Sequence, residues 1–460
     1  MSKRSIADIN PPGGFREMLA IAAPMVVSHA CETLLIFIDR LFLSRIGPEP
    51  MNAAMAGGLS SFMMMTFFVG LIGYTTALVA QYLGAGRKSQ CCVVVTQAAL
   101  LIVPATLIVF LCRPLAYWLF GLMEIPATQR EQQQVYFDIL LYGTPLVLLR
   151  TTLAGFFSGI GRTRIVMISA MVALVVNATA NYVLIFGHLG FPALGLRGAA
   201  FGTLFGSFCA LMVLLAAYLQ RSNRLEFSIG KCQKFHRTIM AKLLRYGSPA
   251  GVEMFLNLLA FTLIVLIFHS HGVVTATAVT IVFNWDLVSF VPLLGLQIGV
   301  VSLVGRYMGA GSPEVAERAA FSGLKMGWIY SSLVLLLFVT LPQQMVGIFA
   351  PFEANELFLA AAPLAVDMLR LAALYVLADA TIVVFSGTLR GAGDTLWAMG
   401  LSVAMHWGMV PIVFVFLKVL NFSPIAVWLA FIVFFLISGG LFYLRFRHGH
   451  WKTLTVVRDE

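Results

Sequence analysis

Charge is what this chain has least of. Only 11% of its 460 residues are Asp, Glu, Lys or Arg, against 60% hydrophobic, whereas soluble domains carry about 25% charged residues. That shortage excludes an ordinary water-soluble domain and points to a polytopic membrane protein. Cysteine is also sparse. Cys91 and Cys92 are adjacent, while Cys31, Cys112, Cys209 and Cys232 are scattered without C-x-x-C spacing, which excludes a zinc or disulfide framework and leaves small apolar packing residues. No G-x-x-x-x-G-K-[ST] stretch occurs, so the chain carries no nucleotide-driven motor of its own. No small-residue cleavage pattern closes the first apolar segment, so a cleavable signal peptide is not expected. No cofactor is implied.

The net charge of +10 does not signal nucleic acid, because the basic residues collect in alternate loops. One side holds Lys3, Arg4, Arg16, Arg87, Lys88, Arg162, Arg164, the run from Arg221 to Arg245, Arg306, Arg318, Lys325, Arg390, Arg445, Arg447, Lys452 and Arg458. The opposite loops hold Arg45, Arg113, Arg130, Arg197 and Lys418. By the positive-inside rule both termini are cytoplasmic, which demands an even number of spans.

Apolar blocks predict an all-α protein of twelve transmembrane helices, at 18–44, 51–82, 91–119, 134–158, 164–187, 194–219, 247–269, 275–307, 317–350, 357–389, 395–420 and 424–445. A crossing needs about 20 apolar residues, so several of these have length to spare for tilt. The chain divides into a cytoplasmic segment 1–17, an amino-terminal lobe 18–219, a basic cytoplasmic linker 220–246, a carboxy-terminal lobe 247–445 and a cytoplasmic tail 446–460.

The two lobes repeat each other. Pro24 answers to Pro249, a shift of 249 − 24 = 225, and Tyr82-Leu83-Gly84-Ala85-Gly86 answers to Tyr307-Met308-Gly309-Ala310-Gly311 at the same shift. Gly159-Ile160-Gly161-Arg162-Thr163 answers to Gly391-Ala392-Gly393-Asp394-Thr395 at a shift of 391 − 159 = 232. The glycines are expected to make tight turns at the ends of the second, fourth, eighth and tenth helices. Two like-oriented six-helix lobes imply a pseudo-two-fold axis along the membrane normal and a central cleft near mid-depth, where transporters bind their cargo.

Against so apolar a background, acids inside spans stand out. Glu32 and Asp39 lie in the first helix seven residues apart, so they share one face, and His29 joins it. An intramembrane carboxylate normally faces a protein interior or a watered cavity and is a functional candidate. The plainer alternatives are a hydrogen bond from Glu32 to a neighbouring helix and a pair of Asp39 with Arg40 or Arg45. In the second lobe, Asp379 can neutralise Arg370, Asp286 falls near the external start of its helix, and His406 carries no assigned role.

Taken together, Pro24 with Asp39, the Gly-Ala-Gly and Gly-Ile-Gly-Arg-Thr turns, Asn177 and Asn181 in the fifth helix, and Ala378-Asp379 followed by Leu389-Arg390-Gly391 in the tenth resemble the multidrug and toxic compound extrusion transporters over essentially the whole chain. The resemblance implies cation-coupled antiport and export of organic cations and other amphipathic small molecules. It implies that Asp39 is the coupling site of the amino-terminal lobe, lined by Asn177, Asn181 and Thr203, with Glu32 a further candidate. One carboxylate among neutral amides favours a proton over sodium, although sodium remains open. For the second lobe it implies a cation site at Asp379 and Tyr375, with Asn257 where relatives of one branch have glutamate and Glu253 one turn earlier. A monomer in a bacterial inner membrane is expected, with the lipid bilayer and small-molecule substrates as its partners. The rival readings are a lipid-intermediate flippase of related fold, which needs a basic cavity, and an intramembrane aspartyl enzyme, which needs Asp39 and Asp379 to share a water.

Overall fold

The computed structural model describes residues 11–122, 126–232, 234–350 and 356–457. Lys3, Arg4 and Arg458, three of the residues behind the charge bias, lie outside them. Within the described residues ten helices are long and apolar enough to cross a membrane: α1 (Phe15–Ser44), α2 (Glu49–Gly84), α3 (Lys88–Gly121), α5 (Thr163–Phe186), α6 (Leu196–Leu219), α7 (Arg237–His269), α8 (Val273–Gly309), α9 (Pro313–Thr340), α11 (Thr395–Val419) and α12 (Pro424–His448). Two more spans are bent pairs. α4 joins Ala127–Tyr142 to Thr144–Gly159 at 46°, and α10 joins Glu356–Ala372 to Val376–Ala392 at 50°. The total of twelve therefore holds with each bent pair taken as one span, but the expected unbroken helices at 134–158 and 357–389 do not.

The first break has a local cause. Gly143 ends one segment and Pro145 starts the next, where its missing N–H costs nothing. The second break, at 373–375, contains neither Gly nor Pro. Tyr375 is held there instead by packing, its ring against Phe431 and Phe435.

The repeat is visible in the backbone. Gly86 and Gly311 have φ of 74° and 73°, and Gly161 and Gly393 have 76° and 98°, all in the left-handed region that glycine enters without strain. Each turn closes with the same bond five residues back, Arg87 N–H to the Tyr82 carbonyl at 2.9 Å, Ser312 to Tyr307 at 2.9 Å, Arg162 to Phe157 at 2.8 Å and Asp394 to Leu389 at 2.8 Å, the mark of a Schellman ending. The linker is more structured than its composition suggested. Arg221–Glu226 is a short helix, and α7 begins at Arg237, so the last part of the polar stretch is the lead-in to the seventh span. Glu226 fixes the linker to the first lobe through Lys88 at 2.9 Å and Arg162 at 2.7 Å.

Both described ends of the chain reach the same end of the bundle. Ser322 donates to the Gly13 carbonyl at 2.8 Å, and Lys452 pairs with Glu317 at 2.7 Å, all four residues lying near the turn between α8 and α9. At this end the two lobes are pressed together. Gly295 of α8 meets Val26 of α1, Gly299 meets Ala22, and Gly309 meets Gln81. Gln81 also donates across to the Gly391 carbonyl at 2.7 Å, Ser302 to the Ser158 carbonyl at 2.6 Å, and Tyr307 to Glu17 at 2.7 Å. Met18, Ile21 and Ala22 accordingly join a core made otherwise of second-lobe residues. Toward the far end the same two helices expose Leu34 and Phe37 on α1 and Leu287 and Val288 on α8. The close contacts of α1 with α8 thus lie at the end that carries both described ends of the chain, and the two-lobe repeat places the expected cleft above the contact of Val26 with Gly295.

Two outcomes follow from this packing. A Cβ on Gly295 would come within 2.5 Å of the Val26 backbone nitrogen, and overpacking of this kind costs about 1–3 kcal/mol. Gly295→Leu is expected to part the lobes at the sealed end, so that a Ser302→Cys reporter, 2% exposed in the wild-type packing, becomes accessible to an impermeant maleimide; unchanged labelling would show that this contact does not hold the seal. At the linker, the hydrogen bond from Lys88 and the charge of Arg162 hold the Glu226 carboxyl below its ordinary value of 4.5. A carboxyl lowered in the folded state stabilises above the ordinary value and loses that contribution as pH falls through the lowered one. Hydrogen-exchange protection at 221–232, taken relative to the unfolded chain at the same pH, should therefore be flat through neutral pH and fall only below about 4.5, and Glu226→Gln should lower it at neutral pH.

Candidate functional site

The amino-terminal site is built on a glycine stripe. Gly198, Gly202 and Gly206 recur every four residues on α6, and a Cβ at any of them would strike α5, at Leu184, Asn181 and Asn177 respectively. Such small-xxx-small spacing lets two membrane helices approach backbone to backbone. The close approach carries Asn177 and Asn181, four residues apart and so on one face, against Thr203 and toward α1. There Asp39, 7% exposed, receives a hydrogen bond from the Asn181 amide and one from the Thr203 hydroxyl at 3.0 Å. Asn181 also donates to Asn177 at 3.3 Å, and Asn177 to Thr203 at 3.3 Å. Among the described residues no cation pairs with Asp39, so the expected alternatives of Arg40 and Arg45 are not realised as ion pairs. What the arrangement offers is a carboxylate shielded from bulk water, held by neutral donors alone, with the Asn181 Oδ1 left without a partner.

Glu32 does not join this cluster. Although it shares a face of α1 with Asp39, seven residues put them about 10 Å apart along the axis, and Glu32 turns to α4, where the Arg150 guanidinium donates to it at 3.0 Å and His29 lies 3.4 Å from its other oxygen. The shared face was legible from spacing; the partner on α4 was not.

The four second-lobe residues fall into two places. Tyr375 donates to Asp286 at 2.7 Å, and Asp379 lies within electrostatic reach of Asp286. Asp286 is thus part of this acidic cluster rather than a solvated residue near a helix start, because α8 begins at Val273 and runs to Gly309. Asp379 does not neutralise Arg370, which lies 3.8 Å from Asp367 instead. Asn257 and Glu253 sit elsewhere. Asn257 donates to Ser402 at 2.8 Å, and Glu253, 3% exposed, pairs with Arg390 at 2.7 Å. His406 bonds the Ser402 carbonyl at 2.8 Å. Arg390 and Ser402 were missed from sequence, Arg390 because it was counted among loop charges. Asp39 and Asp379 belong to separate clusters in different lobes, so the shared water that an aspartyl enzyme requires has no place to bind. Among the described residues no group of three or more His, Cys, Asp or Glu side chains is arranged to hold a metal ion.

Comparison with known proteins bears on this geometry. A family model described as MatE matches residues 24–183 and 249–416, two stretches that start at the paired prolines. The probable multidrug resistance protein NorM of Shewanella oneidensis is 27% identical over 401 residues, 86% of this chain and 85% of the relative. Among solved structures, one described as the outward-facing conformation of a multidrug resistance MATE family transporter superposes with a TM-score of 0.86 at 18% identity, over 98% of this chain and 100% of the other. A transporter of the MOP superfamily from Pyrococcus furiosus, described as having a binding pocket of reversed polarity, gives a TM-score of 0.87 at 19% identity and the same coverage.

The donor network can be tested without any transport measurement. Asn181→Leu leaves the Asp39 carboxylate with Thr203 alone, and a buried polar group deprived of a partner costs about 1–3 kcal/mol. The purified variant should melt below wild type, and Asp39→Asn added to it should recover most of the loss by removing the charge. If single and double variants melted alike, Asn181 would not be satisfying Asp39.

Proposed function

The chain belongs to the MatE family, whose members are multidrug transporters and not enzymes, and on that footing we propose that it exports organic cations and other amphipathic small molecules by antiport with protons. The observation that carries this reading is Asp39, a carboxyl group enclosed in a membrane-spanning helix that takes its hydrogen bonds from neutral donors and, among the described residues, makes no ion pair. Taking up a proton removes its charge, and with it the reason for Asn181 and Thr203 to turn toward it. A ligand shifts an equilibrium between two packings only through its different affinity for them, and loss of a buried charge supplies such a difference.

In this scheme the conformation described here is outward-facing. The basic ends of the spans, the linker and both described ends of the chain lie at the sealed end, which the positive-inside rule assigns to the cytoplasm; the cleft then opens to the outside. Solute bound in the cleft leaves as Asp39 takes a proton from that side, and the lobes rock so that the proton is released inward. Asn177, Asn181 and Thr203 position the carboxyl group. With Glu32 paired to Arg150, a single carboxylate remains in the cluster, which supports a proton over sodium, since sodium calls for several oxygen ligands with more negative charge. The second-lobe acids Asp286 and Asp379 give the opposite wall a preference for positive charge, and aromatic side chains can add cation-π attraction. This acidic balance argues against a flippase for phosphate headgroups. A bacterial inner membrane and a monomeric working unit complete the proposal.

The decisive experiment uses proteoliposomes loaded with a fluorescent cation, with proton and sodium gradients imposed separately. Wild-type protein should empty them under the proton gradient, and Asp39→Asn should fold and melt normally yet abolish gradient-driven export. Full export by that variant, or export driven by sodium alone, would refute the proton-coupling role.

A further inference from the structure

One set of charged side chains in the first lobe takes no part in the coupling scheme. His29, Glu32 and Arg150 form a chain in which Nη2 of Arg150 donates to Oε1 of Glu32 at 3.0 Å and Nδ1 of His29 lies 3.4 Å from Oε2. The side chains are partly open, 24% exposed for His29, 40% for Glu32 and 25% for Arg150.

The direction they face follows from α1 itself. Ala22 and Val26 lie on the stripe that seals against Gly299 and Gly295 of α8. The next positions on that stripe are His29 and Thr33, three and seven residues beyond Val26. At this depth α8 presents Val288 and Leu287, both exposed. Glu32 is about 9 Å above the Val26 contact by helical rise, turned toward α4, so the group stands just above the floor of the cleft on the wall of the first lobe. Charged side chains facing lipid at this depth are strongly disfavoured, whereas the wall of a watered cleft accommodates them. Nor is stability a reason for them, since an ion pair exposed to this degree contributes at most about 1 kcal/mol.

We propose that His29, Glu32 and Arg150 form an amphoteric binding site for transported solutes that carry both a positive and a negative group, and this rests on the transport reading above. Glu32 occupies one nitrogen of the guanidinium; the remaining N–H donors receive a carboxylate or sulfonate. The outer edge of Glu32 receives the cationic group. Nε2 of His29, buried and without a partner, supplies one more polar contact. No bond is made or broken; the solute exchanges its hydration for these partners.

Tetramethylrhodamine and its methyl ester make the test, because they are close in size and aromatic surface while one is a zwitterion and the other a cation. The readouts are KM for export from proteoliposomes and Kd for binding to purified protein by fluorescence polarisation. Arg150→Gln removes the anion's partner and frees Glu32, so the ratio of the free acid's value to the ester's should rise about tenfold, the contribution of one hydrogen bond to a charged group. Glu32→Gln should move the same ratio the opposite way. In the double variant E32Q/R150Q the anion has lost its partner but Glu32 no longer repels it, so the ratio should rise less than in Arg150→Gln. A structural strut would shift both dyes together, leaving the ratio fixed in both single variants, and that result overturns the proposal. Wild-type protein that binds the dyes but exports neither would instead overturn the transport reading, and wild-type protein that binds neither would overturn the site.

Discussion

The carboxyl group of Asp39 sets the terms for the rest of the molecule. Placed in hydrocarbon without water it must be satisfied by protein, and here the satisfying groups are an amide and a hydroxyl rather than a cation. Those groups come from α5 and α6, and they reach Asp39 only because three glycines on α6 remove the side chains that would hold the two helices apart. An apolar stripe, not a polar one, is what makes the polar site possible. A salt bridge at Asp39 would have answered the same solvation demand, but it would have left the group with nothing to gain from a proton.

The two lobes share a backbone plan and differ in what they place on it. The paired turns have matching dihedrals and matching bonds, yet the side chains at equivalent points diverge. Arg162 pairs with Glu226 of the linker, while Asp394, its counterpart, pairs with Arg445 at the end of α12. Glu32 has Asn257 as its counterpart, 257 − 32 = 225; the one holds Arg150 and the other Ser402. Turn geometry depends on a few residues with special φ and survives such divergence, whereas each buried polar group depends on its own partner. The result is one scaffold with a neutral-donor cluster in one half and a paired-acid cluster in the other.

The seal between the lobes is made of small residues in close contact, reinforced by a few hydrogen bonds across the interface. Packed interfaces of this kind have discrete arrangements rather than a continuum, because interiors at native density do not deform gradually. Gly295 and Gly299 against Val26 and Ala22 give α1 and α8 a seam with no side chain from the glycine positions between the two backbones. The hydrogen bonds of Gln81, Ser302 and Tyr307 fix its register, and Pro292 lies inside α8 three residues before Gly295.

By itself the sequence determined the material and the symmetry of this protein. Scarcity of charge fixed the membrane, the alternation of basic loops fixed an even number of crossings, and the shifts of 225 and 232 fixed two like lobes and their glycine turns. It also marked Asp39, Asn177, Asn181 and Thr203 as one group, partly through spacing and partly through a family likeness. Only tertiary structure decided which acids keep company. Glu32 went to Arg150, Glu253 to Arg390, and Asp286 joined Tyr375 and Asp379, while the break in α10 appeared where no glycine or proline announced it. The physical reason is a difference of range: helical periodicity and turn chemistry are properties of neighbours along the chain, whereas the partner of a buried charge is set by which helices stand side by side and how deep each one is seated.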